Sequence, residues 1–290
     1  MLRGAGWFSV AAMPLPLEDN FDDVLMKAST GLGIGKQALA ERAGLSLRSV
    51  TQLLRGIVDV PSLRAVAPIL GLHAEALVAM AQGSGTPAPI AFSCLRCYTT
   101  PFPVPGYAAM TVNSYLAWCA ETRQAVAFDT GSNTEALQAD LESRGLTLKA
   151  LFLTHTHPDH VAACDELRAR ADAPALYAPK HEPYPQSLEV QAGDEFHYGK
   201  LRVEARLTSG HSPGGLSYVL AGLERPVAIV GDALFCLSQG GARTQYARAL
   251  KNNREQLLSL PVATVLCPGH GPMTTVQWEQ AHNPFFPEFK

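Results

Sequence analysis

The sequence predicts an α+β protein in which a small all-helical unit precedes a larger domain of mixed sheet covered by helices. Three observations lead there. Across residues 21–82 short amphipathic segments follow one another, with few β-branched runs and no aromatic residue after Phe21. Next, "GSGTPAPIAF" at residues 83–92 is a Gly/Pro/Ala stretch of the kind that separates folding units. Beyond it, strand-like runs occur both as hairpin-like neighbours and in alternation with helices, a pattern that suits a mixed sheet better than a bundle or a sandwich of strands alone. The expected organisation is an N-terminal extension (1–20), a helical domain (21–82), a linker (83–92) and a larger domain (93–290).

Each element has a local reason. In "KQALAERAGLSLRSVTQLLRG", residues 36–56, a helix meets a turn at Gly44 and a second helix is entered at Ser46, a good N-cap. In the larger domain the strand-like runs are "AAMTVNSYLAWCA", "QAVAFDTG", "LKALFLTH", "KLRVEARLTSG", "GLSYVLAG", "PVAIVGDALF" and "VATVLCPGH". Helical stretches at 134–144, 161–171 and 244–260 lie between several of them. There is no internal repeat and no low-complexity tract.

The bulk numbers exclude several classes. With 290 residues and 47% hydrophobic content the chain can build one large core or two ordinary ones. A formal net charge of -3 argues against a protein that wraps a polyanion. The six cysteines lack the dense spacing of a small secreted scaffold, which favours a reducing cytosol. The opening "MLRGAGWFSVAAMPLPLEDN" carries a short apolar patch that runs into two prolines, and a start at Met13 would remove it. Nothing elsewhere is long enough to span a bilayer, so the expected location is the cytoplasm. Cys94 and Cys97 form a CxxC without a partner motif, which reads as structural, and Cys236 and Cys267 read as small buried hydrophobes.

The chemistry is concentrated in "LFLTHTHPDH", residues 151–160. Its apolar run reads as a buried strand whose polar end meets a site. Alternate side chains of an extended segment point the same way, so His155 and His157 can converge on one ion. Asp159 and His160 lie where the chain turns into a helix and can face a second. One strand end cannot surround an ion, and the sequence offers further donors at other strand ends: His211 in "TSGHSPGG", Asp232 in "AIVGDALF" and His270 in "VLCPGHGP", each beside a small residue that lets backbone approach. Five His and two Asp make a donor set for zinc, with iron or manganese as alternatives, rather than copper(I). Asp232 is assigned the bridging position, because a carboxylate can span two ions and imidazole rarely does.

"THTHPDH", "GHSPGG", "GDALF" and "PGHGP", in this order, resemble the metallo-β-lactamase superfamily over roughly residue 95 to the C-terminus. The resemblance implies an αββα sandwich, two mixed sheets face to face with helices outside and the metal site along one edge. It further implies that His155, His157, His211 and Asp232 hold the first of two divalent ions, while Asp159, His160 and His270 hold the second and share Asp232. "FDTGSN" matches the superfamily's first motif, whose acid, here Asp129, supports the ligands from behind; as a bare sequence feature Asp129 could equally be a turn residue.

Two adjacent cations lower the pKa of water from about 15.7 toward about 7 and polarise a carbonyl or phosphoryl oxygen, so the expected reaction is hydrolysis, with Asp159 and Asp232 as the catalytic carboxylates. Asp232 also argues against antibiotic hydrolysis, since true β-lactamases lack this bridging acid. "GDALF", "PGHGPMTT" and "HNPFF" are most similar to glyoxalase II-like hydrolases, which implies a thioester or glutathione conjugate as substrate. Full-length glyoxalase II enzymes carry an additional C-terminal helical region, and this chain stops soon after "HNPFF". Arg243 and Tyr246, or Lys251 and Arg254, are candidate substrate contacts; a solvated helix face accounts for the same pattern. The related persulfide dioxygenases share "GDAL" and would use one iron held by His155, His211 and Asp232.

The helical unit, with "PSLRAVAPILGL" continuing the pattern, resembles the helix-turn-helix of phage-repressor-like (XRE/Cro-type) regulators. That resemblance implies DNA as a partner, with Arg48, Ser49 and Gln52 facing bases and Arg55 near phosphate. Its basic residues are nearly balanced by acidic ones, which weakens attraction to phosphate. Dimerisation, giving a homodimer, or covering of the pocket are the other roles this unit could have. A DNA-binding regulator with a ligand-sensing metal domain is therefore the alternative to an enzyme.

Overall fold

A computed structural model describes residues 15–83, 85–102 and 110–290. The apolar patch near the N-terminus, the alternative start at Met13 and the first two residues of the run "AAMTV" lie outside the described residues. The helical unit contains α1 (Phe21–Gly31), α2 (Lys36–Ala43), α3 (Leu47–Leu53), α4 (Val60–Val66) and α5 (Ala74–Ala81). Gly44 ends α2 in the left-handed conformation (φ 64°), and Ser46 starts α3 by accepting the Ser49 backbone N–H at 3.0 Å.

The larger domain is built on β1 (Leu95–Pro101), β2 (Thr111–Trp118), β3 (Gln124–Phe128), β4 (Thr147–Phe152), β5 (Ala175–Pro179) and β6 (Leu188–Val190), which pair in that order. A second sheet has the order β12 (Thr274–Thr275), β11 (Val265–Pro268), β10 (Val227–Gly231), β9 (Leu216–Ala221), β8 (Leu201–Leu207) and β7 (Glu195–Tyr198). Both sheets are mixed: β3, β4, β5 and β6 run parallel, as do β10 and β11, and the remaining pairs are antiparallel. Helices α6 (Glu135–Arg144), α7 (Pro158–Val161), α8 (Cys164–Arg170), α9 (Tyr246–Asn252) and α10 (Val276–His282) complete the domain.

Period-two alternation divides the apolar residues among three layers. Val126 and Phe128 of β3, Phe152 of β4, Ile229 of β10 and Val265 of β11 point between the sheets, where Tyr115 and Tyr218 join them. Ala125, Ala127, Leu151 and Leu153 point outward under α6 and α8. Ala228, Val230 and Leu266 point outward from the other sheet into a third core.

That third core crosses the seam. Phe21, Leu25, Leu53, Leu63 and Leu77 of the helical unit share it with Tyr246, Leu257, Phe285 and Phe286 of the larger domain. A Cβ on Gly31 would fall 2.3 Å from the Tyr246 ring, so only glycine allows α1 to lie this close to α9. The His73 N–H donates to the Pro284 carbonyl across the same boundary at 2.8 Å. No helix among the described residues is long and apolar enough to cross a membrane.

Candidate metal centre

Parallel neighbours place their C-terminal ends side by side, and this chain uses those ends for its donors. His155 follows β4, Asp232 follows β10, His270 follows β11, and His211 stands on the loop between β8 and β9. Asp129 follows β3 and adopts a left-handed backbone (φ 54°) that an acid tolerates because its side chain bonds locally.

The seven predicted ligands meet there in two groups, His155, His157, His211 and Asp232, and Asp159, His160 and His270. His157 Nδ1 is 3.1 Å from His155 Nε2 and 3.0 Å from His211 Nε2. Asp232 joins the groups: Oδ2 lies 3.4 Å from both His211 Nε2 and His270 Nε2, and Oδ1 lies 3.2 Å from His160 Nε2. Asp159 Oδ2 is 3.4 Å from His160 Nε2 and 3.3 Å from His270 Nε2.

Four of the five imidazoles, those of His155, His160, His211 and His270, are aimed by their other nitrogen. His160 Nδ1 donates to Asp129 Oδ2 at 2.8 Å, and the same carboxylate accepts the Thr154 N–H and hydroxyl, each at 2.8 Å. Thr154 Oγ1 stands 3.0 Å from His155 Nδ1. His211 Nδ1 donates to the Gly241 carbonyl at 3.0 Å and His270 Nδ1 to the Thr111 carbonyl at 2.6 Å. These outer bonds are made while the inward atoms His160 Nε2 and Asp232 Oδ1, though buried, have no hydrogen-bond partner among the described residues. Orphaned buried donors and acceptors at the focus of a His/Asp cluster fit divalent cations as their missing partners.

Charge is unevenly spread over the imidazoles. Burial, reinforced by the neighbouring His160, holds His155 well below its ordinary value, and burial also lowers His211. Burial opposes the charge on His160 too, but the carboxylates of Asp232 and Asp129 outweigh it and raise His160 to about 10. Against the same penalty Asp232 and Asp159 raise His270 to about 11. Asp232 itself is buried, yet His270 and His160 hold it well below the usual carboxylate range.

The other predicted contacts are dispersed. Arg243 is exposed, two residues beyond the Gly241 carbonyl that holds His211. Tyr246 is a correction: it is buried in the core shared with the helical unit, because its ring fills the space against Gly31. Lys251 is exposed 4.0 Å from Glu255, and Arg254 is bonded to Glu288 over the Phe286 ring. On α3, Arg48 is exposed, Gln52 is half-buried and Ser49 serves the cap of its own helix, and Arg55 is exposed in the turn just beyond the helix. Sequence reasoning missed Thr154, which was visible beside His155, and the Gly241 and Thr111 carbonyls, which carry no residue signature. It also missed Glu18, whose Oε2 lies 4.0 Å from His270 Nδ1 and which burial raises to about 7.

The profile of the metallo-beta-lactamase superfamily matches residues 108–270. The chain belongs to this superfamily. It is 35% identical to the probable metallo-hydrolase YqgX of Bacillus subtilis over 57% of this chain and 89% of that protein. It is 34% identical to the hydroxyacylglutathione hydrolase of Brucella ovis over 47% of this chain, and spans about half of that protein, 52%. Among solved structures, ETHE1 from Myxococcus xanthus superposes with a TM-score of 0.55 at 26% identity, covering 67% of this chain and 85% of that one. This metallo-beta-lactamase fold carries its helical unit in the segment ahead of the matched region.

Proposed function

We propose that the chain is a cytoplasmic dinuclear metallohydrolase that cleaves a thioester of the hydroxyacylglutathione type. One observation carries the reading: Asp232 lies within 3.4 Å of imidazoles from both donor groups, so one carboxylate can serve two ions. His155, His157, His211 and Asp232 are assigned to one ion, and Asp159, His160, His270 and the shared Asp232 to the other. The donor set suits zinc, with iron or manganese as alternatives. When bound, such ions supply an activated water and polarise the carbonyl under attack. Asp159, buried beside His160 and His270, is the carboxylate assigned to accept a proton from the attacking water. Asp129 and Thr154 hold His160 and His155 in the required tautomers. Arg243, exposed beside the His211 loop, is the candidate contact for an anionic substrate group. The likeness to hydroxyacylglutathione hydrolase supports a thioester, and the free cysteines accord with a reducing compartment.

The competing reading is a mononuclear iron dioxygenase acting on a persulfide through His155, His211 and Asp232, favoured by the superposition on ETHE1. Metal analysis of the purified chain, followed by thioester hydrolysis in an oxygen-electrode cell, separates the two. Two ions per chain and turnover without oxygen uptake are expected; one iron with oxygen consumption overturns the hydrolase reading. Duplex binding by a helix-turn-helix is favoured by the α2–α3 pair, with Arg48 on α3 and Arg55 just beyond it both exposed. Against it, Leu47, Ile57 and Val58 are exposed nearby and Arg64 is paired with Glu75. No mobility shift is expected at micromolar protein and low salt.

A further inference from the structure

The loop that follows Asp232 is held from two sides. From the larger domain, Glu279 accepts the Leu237 N–H through both oxygens, at 3.2 and 3.0 Å, and supports the left-handed backbone of Leu237 (φ 64°). Asn283 donates to the Ser238 carbonyl at 3.0 Å. From the helical unit, Lys27 on α1 donates to the Gln239 carbonyl at 2.8 Å, across 212 positions of sequence. Lys27 is ion-paired with Asp19, and Asp19 accepts the Ser238 hydroxyl. The Lys27 ammonium also stands 4.9 Å from the centre of the Phe235 ring.

What this loop does next connects it to the donors. Gly240 passes so close to the centre that a Cβ there would fall 1.9 Å from the Asp232 carbonyl and 2.9 Å from His211 Nδ1. Gly241 supplies the carbonyl that fixes His211, and the Phe235 ring meets His270 edge-on, with centroids 5.6 Å apart. The Lys27 bond is made at the residue before Gly240, where the loop leaves the part anchored by Glu279 and Asn283.

We propose that Lys27, with Asp19, is a positioning residue of the metal centre: the helical unit sets the course of the Phe235–Gly241 loop and thereby the orientation of His211 and His270. Neither residue touches the donors themselves. Groups that orient a ligand imidazole typically govern metal affinity by about 10- to 100-fold. The proposal rests on the metal-centre reading of the seven donors and not on any choice of substrate.

The test uses the full chain, zinc titrated against a chromophoric chelator, and the visible spectrum of the cobalt(II)-loaded protein. Lys27→Met is expected to weaken zinc binding about tenfold and to shift the cobalt bands, while Lys27→Arg restores both. A merely structural contact would lower the melting temperature and leave both readouts of the folded protein unchanged; that result overturns the proposal. Should Lys27→Met fail to fold, Ser238→Ala removes only the hold from Asp19 and is expected to shift the cobalt bands in the same direction. Unchanged bands in that variant also count against the proposal. A wild-type chain that holds no zinc overturns the metal-centre reading and this inference together, whereas absent thioester turnover with tightly held zinc overturns only the substrate assignment.

Discussion

Asp232 is the residue that stands against imidazoles of both donor groups. Asp232→Ala is expected to lose bound metal and turnover together, measured by elemental analysis and thioester hydrolysis on the same preparation. His157→Ala divides the two chemistries, because a dinuclear centre loses a ligand while an iron held by His155, His211 and Asp232 keeps all of its own. A further outcome follows from the charges: His160 and His270, at about 10 and 11, carry protons at pH 8 that a cation must displace. Zinc added to metal-free protein in weak buffer should therefore release protons, read with an indicator dye, and zinc affinity should fall as pH is lowered. The seven candidate donors that the structure gathers were legible in the sequence because they lie at or just beyond strand ends and have chemically distinctive side chains. Tyr246 was misread because hydroxyl and ring are the same residue type whether they meet a substrate or fill a core, and only Gly31, far away in sequence, decides which.

The glycines and short helices around the donors act as elements. A Cβ on Gly269 would fall 2.2 Å from Asp232 Oδ1 and 2.6 Å from His160 Cε1, so Gly269→Ala is expected to reduce metal occupancy at least about tenfold in a protein that still folds. Calorimetric melting and elemental analysis check both halves of that statement. Glu279 on α10 is raised by burial from 4.5 to about 7, so the folded chain keeps a proton that the unfolded chain releases. The resulting stability is full below pH 4.5 and is lost as pH rises through 7; Glu279→Gln should flatten that part of the melting-temperature profile relative to wild type. Strands with strongly apolar runs, such as β4 and β10, could be read directly. The β6, β7 and β12 strands could not, being short or half-exposed, and β1 hides behind polar threonines and Pro101. The helix expected over 244–260 changes to a wider π turn over residues 253–257, where buried Asn253 donates to the Ala233 carbonyl at 2.8 Å and Gln239 Oε1 at 3.0 Å. Such tertiary bonds leave no local pattern.

At the scale of the molecule, the mixed α/β character and the N-terminal helices were readable from composition and periodicity. The joining of the two units was not, because an apolar helix face looks the same whether it closes on its own bundle or on a neighbour. Since Phe21, Leu25 and Leu77 lie in one core with Tyr246 and Phe285, the helical unit and the larger domain should unfold in a single transition. Near-ultraviolet and far-ultraviolet circular dichroism should then give coincident melts. The largely exposed run of residues 85–91 between α5 and β1 bears on this in another way. A protease that nicks it cuts a covalent tether without uncovering the apolar faces on either side, so the two fragments should travel as one particle through a sizing column and part only in denaturant. The peptide there is a string around a parcel already glued shut.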